Sequence, residues 1–232
     1  MKALLIQARS SSKRFPGKML MPVIGEIPLV EYVYKRSSVA KQPDIIAVIT
    51  SGDSSDDRLF AYCMEHKIKV FRGSLDNVLD RYINAAEFFK ADVICRLCGD
   101  SPFADIELID KMFKIQAAEG LDYIAPDKKT CIAGLDSEVV TLAALRKSAE
   151  GASAGESEHV TLFLKNNKKK FKTRFLDAGM RPAGIADIAL TVDYPEDMEV
   201  CRRIAGSLGP GYDFKAEDIF NLLLKERKNV NA

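Results

Sequence analysis

Short apolar runs alternating with amphipathic stretches predict an α/β fold, a mainly parallel, Rossmann-like sheet with helices on both faces. Three observations carry that expectation. The 232 residues are enough for one α/β domain and short for two. Strand-like runs lie at 3–7, 45–50, 69–71, 93–97 and 123–125. Helical patterns fall between them, at 29–38, 56–66, 77–89 and 106–118. In the second helical stretch Leu59, Cys63 and Met64 share a face; in the third Val78, Leu79, Tyr82, Ile83, Ala86 and Phe89 do. Such alternation builds right-handed βαβ units, whose ligands sit beyond the carboxyl ends of the strands.

The pattern loosens after Pro126, giving a small β/loop excursion in the C-terminal half. Residues 127–138 are polar and contain glycine, and 142–149 and 157–166 read as helices around a flexible 151–155. Lys168, Lys169 and Lys170 read as a solvated turn, and 172–176 and 188–192 are strand-like. Pro195 followed by Glu196 and Asp197 starts a helix over 195–206, and a last helix covers 215–225. The expected organisation is one domain, 1–232, with an irregular segment at 127–187.

Composition excludes several function classes. Lys plus Arg number 34 against 33 Asp plus Glu, a balance unlike that of a nucleic-acid or anionic-membrane binder. The few apolar residues before Gln7 are too short for a signal peptide, and no run approaches the roughly 18 needed to span a bilayer. A cytoplasmic protein is expected. Five cysteines without a framework spacing suit reduced thiols. Cys95 and Cys98, three apart on a strand, point to opposite sides of the sheet and read as apolar fillers. Two histidines, His66 and His159, leave no basis for a multi-histidine zinc site.

The loop after the first strand is the leading site candidate. Within ten residues it holds Arg9, Lys13, Arg14 and Lys18, with Ser10, Ser11, Ser12 and the turn pair Pro16-Gly17. Cations, hydroxyls and free backbone N–H groups at a strand's carboxyl end suit a polyphosphate; a solvated basic loop is the alternative. Neither a GxxxxGK[ST] loop nor a GxGxxG turn is present. Asp100 ends the fourth strand within Gly99-Asp100-Ser101-Pro102, and Asp193 ends another apolar run before Pro195. Two such carboxylates could share a magnesium ion with phosphates. Alternatively, Asp100 shapes a turn before the next helix and Asp193 caps the helix opened by Pro195.

These pieces together resemble the sugar cytidylyltransferase superfamily over essentially the whole length. The nearest resemblance is to the SpsF spore-coat polysaccharide biosynthesis family, with similarity to the CMP-Kdo and CMP-sialate synthetases. ARSSSKRFPGK (8–18) is similar to that family's nucleotide loop. FRGSLDNVLDRY (71–82), GDSP (99–102), GLDSEV (134–139), SEHVT (157–161) and LTVDYPEDM (190–198) are similar to its later motifs.

The resemblance implies a nucleotidyltransferase fold and a homodimer. It also implies Mg²⁺-dependent transfer of CMP from CTP to a sugar or sugar-like acceptor, releasing pyrophosphate for cell-surface polysaccharide synthesis. Arg9, Ser12, Arg14 and Lys18 would hold the triphosphate, and Asp100 and Asp193 the metal. Arg9, Lys18, Asp100 and Asp193 would form the catalytic set. The backbone of Leu5, Gln7 and Ala8 would line the base pocket, with Arg72 and Ser74 near base or ribose. Asp136, Glu138, Glu158 and His159 would face the acceptor, His159 either as a general base or as a capping residue. Cys98 stands where CMP-Kdo synthetases carry glutamine, a departure that weakens transfer of their sugar specificity. A nucleotide-sugar-dependent glycosyltransferase and a non-catalytic nucleotide-binding protein are the competing readings.

Overall fold

The computed structural model describes residues 1–185 and 188–230, so the last two residues of the irregular segment, 186 and 187, lie outside it. The chain begins with β1 (Lys2–Gln7), then a hairpin of β2 (Pro22–Ile24) and β3 (Ile27–Pro28) leading into α1 (Leu29–Ser37). Next come β4 (Ile45–Ser51), α2 (Asp57–Glu65), β5 (Val70–Gly73), α3 (Val78–Phe88), β6 (Val93–Cys98) and α4 (Ile106–Glu119). Then follow β7 (Tyr123–Pro126), β8 (Glu138–Thr141), α5 (Leu142–Ala149), α6 (Ala154–Glu158), α7 (Leu162–Asn166) and β9 (Thr173–Leu176). Finally come α8 (Pro195–Leu208) and α9 (Ala216–Val230).

Seven strands form one sheet in the order β5-β4-β1-β6-β8-β7-β9. β1 is parallel to β4 and β6, and β7 to β9, while β8 runs antiparallel to both β6 and β7. Because β8 is inverted, its first residue lies on the same edge as the carboxyl ends of its neighbours.

Alternation along β1 explains the layers. Leu4 and Ile6 face a cluster built with α1, α2, α4, α8 and α9, whereas Ala3 and Leu5 face one built with α3, α5 and α7. A strand buried on both faces has to be apolar throughout, which is why 3–6 reads as a continuous run. Among the described residues no helix is long and apolar enough to cross a membrane.

Three expectations need correction. The helix predicted for 157–166 is two short helices, broken where Val160 takes a left-handed φ of 49°. A capping box of Ser153 and Glu156 starts the first of them earlier than periodicity suggests. The strand predicted for 188–192 does not join the sheet. That segment bonds instead to loops, from Leu190 N to Ala133 O (2.8 Å) and from Val192 N to Asp100 O (2.8 Å). Conversely, β8 arises in a stretch whose opening residues read as polar loop, and the β2–β3 hairpin was not foreseen.

Candidate active site

The first loop turns back on itself. Gly17, at φ 72°, donates its N–H to Ser10 O (3.1 Å) and opens a 3₁₀ turn over Lys18–Leu20. That turn drives Lys18 inward, where its ammonium donates to Asp100 Oδ2 (2.8 Å) and to Val192 O (2.6 Å). The same nitrogen lies 3.6 Å from Asp193 Oδ1, and the Arg14 guanidinium also pairs with Asp193. Loop and aspartates, separated in sequence by more than 80 residues, thus meet around one ammonium.

Local chemistry delivers each aspartate. Gly99 lies so close to the backbone of β1 that a Cβ there would sit 3.0 Å from Gln7 O, so glycine lets the chain turn before Asp100 without crowding β1. The turn role considered for Asp100 falls to Asp105, whose carboxylate caps α4 by accepting from Leu108 N (2.6 Å). The capping role considered for Asp193 falls to Asp197, which reaches back to the N–H groups of Asp193 and Tyr194 (2.8 Å each). Both carboxylates are thereby left for the cleft. Gly134, at φ 94°, holds the 188–192 segment in place, since any Cβ would run into the backbone of Leu190 at 2.5 Å.

The convergence lines a cleft of about 690 Å³ at the carboxyl edge of the sheet, a size typical of ligand sites. Of the expected nucleotide residues, Gln7, Arg9, Ser12, Arg14 and Lys18 line it; so do Asp100, Asp193 and Glu158. Sequence reasoning missed Leu75 and Asp76 as site residues, although both also line the cleft. Their position directly before the helix-capping Asn77 was the available signal. The cleft continues past Arg9, Asp76 and Glu158 into a side chamber of about 410 Å³ against α6.

Other expected residues sit elsewhere. Leu5 is fully buried, so only its backbone is in play. Arg72 spends its guanidinium on Ser51 O (2.8 Å), Asp53 O (2.7 Å) and Asp57 (2.7 Å), bracing the loop after β4. Ser74 Oγ accepts from Asn77 N (3.1 Å) at the start of α3. Neither of these two side chains lines the cleft. His159 closes α6 at the surface, away from both chambers.

Glu138 and Asp136 border a second cavity of about 480 Å³ by Tyr123 and Ser137, also at this edge, with Lys128, Lys129 and Lys168 at its rim. Glu138 is buried and fully engaged. It accepts from Arg96 Nη1 (3.0 Å), Tyr123 OH (2.8 Å) and Thr161 Oγ1 (2.9 Å), and pairs with Lys165. Burial pushes its carboxyl upward, but Arg96, Lys165 and these hydrogen bonds overcome that and hold it at about 2.

The thiols are inert. Burial pushes Cys95 up to about 12 and Cys98 up to about 11, the latter despite Arg96, so neither is a thiolate at neutral pH.

Basic loop, paired aspartates and a largely parallel sheet define the class: this is a nucleotidyltransferase built on an α/β fold. Residues 3–218 match the family model for cytidylyltransferases, and the chain belongs to that family. It is 34% identical over 229 residues to the spore coat polysaccharide biosynthesis protein SpsF of Bacillus subtilis, covering 94% of this chain and 92% of that one. An uncharacterized protein of Methanocaldococcus jannaschii is 36% identical over 199 residues, covering 84% and 79% of the two chains. A cytidylyltransferase structure from Leptospira borgpetersenii superposes with a TM-score of 0.87 at 27% identity, over 98% of this chain and 95% of that one. Over 122 residues, 50% of this chain and 49% of the other, this chain is 34% identical to an 8-amino-3,8-dideoxy-manno-octulosonate cytidylyltransferase of Shewanella frigidimarina.

Proposed function

We propose that this protein transfers CMP from CTP to a hydroxyl of a sugar or sugar-like acceptor and releases pyrophosphate, in the cytoplasm, as a step of cell-surface polysaccharide synthesis. The observation that carries the reading is the meeting of Arg14, Lys18, Asp100 and Asp193 in a cleft walled by Arg9 and Ser12. The cations and loop hydroxyls take the triphosphate. The acceptor oxygen bonds to the α-phosphorus, the bond from that phosphorus to the β-phosphate bridging oxygen breaks, and the acceptor proton passes to solvent.

The donor set fits a hard divalent cation. Two carboxylates, each part-exposed to the cleft, supply oxygens. Among the described residues no group of three or more His, Cys, Asp or Glu gathers, so phosphates and water would complete the shell of Mg²⁺. When bound, the ion neutralises charge building on the phosphate oxygens. Lys18 holds the two carboxylates together meanwhile. Unscreened by a cation, charges about 4 Å apart at an effective dielectric near 20 repel by roughly 4 kcal/mol.

The acceptor is assigned to the cavity beside Tyr123 and Asp136. Its rim lysines favour an acceptor bearing an acid group, in keeping with the octulosonate named for the Shewanella relative. Asp136 and Ser137 suit hydroxyls, and Glu158, which lines the nucleotide cleft and its side chamber, suits a further one. Self-association through the 127–187 segment belongs to the same reading, with a homodimer mass by light scattering as its check. The deciding experiment incubates the protein with Mg²⁺, each of the four NTPs and a panel of sugar acids, aminosugars and sugar phosphates. Pyrophosphate release with CTP and an acceptor supports the proposal. Release of a nucleoside diphosphate from a nucleotide-sugar indicates a glycosyltransferase instead, and CTP binding without turnover across the panel a non-catalytic binder.

A further inference from the structure

Asp56 lies outside the cleft and is completely buried, at 0% exposure. Its Oδ1 accepts the backbone N–H of Ser10 (2.6 Å), while Oδ2 accepts the N–H of Ser51 (3.2 Å) and the Ser51 hydroxyl. Burial pushes this carboxyl up, but the hydrogen bonds from Ser51 and Ser10 outweigh it and hold the group below its ordinary value. Hydrogen bonds to an ionised carboxylate are about twice as strong as neutral ones.

Ser10 is the point where the phosphate loop closes. Its carbonyl takes the Gly17 N–H (3.1 Å), so 10–17 forms a ring, braced inside by Phe15 N on Ser12 Oγ (3.3 Å). That ring carries Ser11, Ser12, Lys13 and Arg14, one whole wall of the cleft. A second stretch of the lining hangs from a second buried charge. Arg81 donates from Nε to Ser74 O (2.7 Å) and from Nη2 to Leu75 O (2.9 Å), directly behind Leu75 and Asp76. The two stretches are therefore suspended from buried groups of opposite sign that feel each other's field.

We propose that Asp56 is a positioning residue for the triphosphate, setting the Ser10–Gly17 ring at the distance from Leu75 and Asp76 that the β- and γ-phosphates require. The inference rests on the nucleotide reading above. CMP lacks those two phosphates and makes no use of the ring's placement. Asp56→Asn is expected to weaken Mg–CTP binding about 10- to 100-fold, the worth of one charged hydrogen bond, and CMP binding less than about 2-fold. Ser51→Ala removes only one supporting hydroxyl and is expected to lower the CTP-to-CMP affinity ratio about 2- to 5-fold. It decides the matter should Asp56→Asn fail to fold.

Calorimetric titration of wild type and both variants with CTP and CMP, in the presence of Mg²⁺, reads that ratio. A carboxylate with a merely structural role would lower the melting temperature and weaken both ligands alike. A fallen ratio in folded variants supports the proposal. A wild type that prefers CTP, with variants that keep the same preference, overturns the role of Asp56 alone. A wild type that binds CTP no tighter than CMP overturns the nucleotide reading and this inference with it.

Discussion

Two clusters of opposite charge sit at the same edge of the sheet and have opposite characters. Around Lys18, the carboxylates of Asp100 and Asp193 are each more than a quarter exposed and face open space. Around Glu138, Arg96, Lys165, Tyr123 and Thr161 close on a single buried carboxylate and leave it no spare oxygen lone pair directed at solvent. The residue types are nearly the same. What differs is the ratio of charge to partners: the first cluster has two anions sharing one inward ammonium and the exposed Arg14, and the second has one anion with two cations and two hydroxyls. An under-supplied cluster at a cleft can exchange protein contacts for a ligand, whereas a saturated one fixes strands.

The sharpest test of that contrast is also the one with the largest expected effect. Asp100→Asn and Asp193→Asn should each lower pyrophosphate release about 10²- to 10³-fold, the range for removing a group that stabilises transition-state charge. Their melting temperatures should stay within a few degrees of wild type, because easing repulsion at a part-exposed site costs the fold little. Near-normal turnover in both variants would remove the metal assignment.

Glu138→Gln should do the reverse. Deleting one partner of a buried ionic network costs roughly 3–5 kcal/mol, about 10 °C in melting temperature for a chain of this size. CTP affinity should change less than about 2-fold, since Glu138 does not line the nucleotide cleft. A stable variant that has lost CTP binding would erase the distinction between the clusters.

Acid sharpens the same comparison. The folded carboxyl of Glu138 stands at about 2, below its ordinary value of 4.5. A depressed carboxylate contributes stability that is fully present above the unfolded value and is lost as pH falls through the folded one. The melting-temperature gap between wild type and Glu138→Gln should therefore be flat from pH 6 to 8. It should narrow between about pH 4.5 and 2, where a stability difference on the order of 3 kcal/mol is lost. A gap independent of pH would mean that packing, not ionisation, sets the cost.

The clusters also differ in how much of them the sequence disclosed. Lys18 was legible in the basic loop after the first strand and Asp100 at the end of the fourth, since the carboxyl ends of a parallel sheet share an edge; Asp193 was legible as the end of an apolar run, although that run does not join the sheet. Asp76 was not, since its one signal, a place directly before the helix-capping Asn77, does not separate a cleft-lining residue from a solvated loop acid. Glu138 was read as an acceptor ligand from the resemblance of the GLDSEV stretch; β8, which buries it, is antiparallel and only four residues long. A strand that short has too little periodicity to announce itself, and its burial depends on Arg96, 42 residues away. The break at Val160 was hidden for a related reason, as no glycine marks its left-handed φ. The alternation of strands and helices through residue 126 needed only local pattern, and it survived almost unchanged.

His159 marks the boundary between those two kinds of evidence and carries the smallest expected effect. A histidine beside Glu158, within a stretch that resembles an acceptor motif, suits a general base on sequence grounds. In the fold it ends α6, its backbone N–H donating to Glu156 O (3.1 Å), with the residue exposed and outside both chambers of the cleft. Glu158, one residue earlier, faces both chambers. His159→Ala should accordingly keep kcat within about 2-fold, whereas Glu158→Gln should raise the acceptor KM several-fold, the scale of one lost hydrogen bond. The pH–rate profile adds a second reading. A general base would impose a rising limb that disappears in His159→Ala, while a capping histidine leaves the profile of the variant superimposed on that of wild type. Loss of that limb together with a large fall in kcat would return His159 to the chemistry, and would require α6 to move toward the cleft when the acceptor binds.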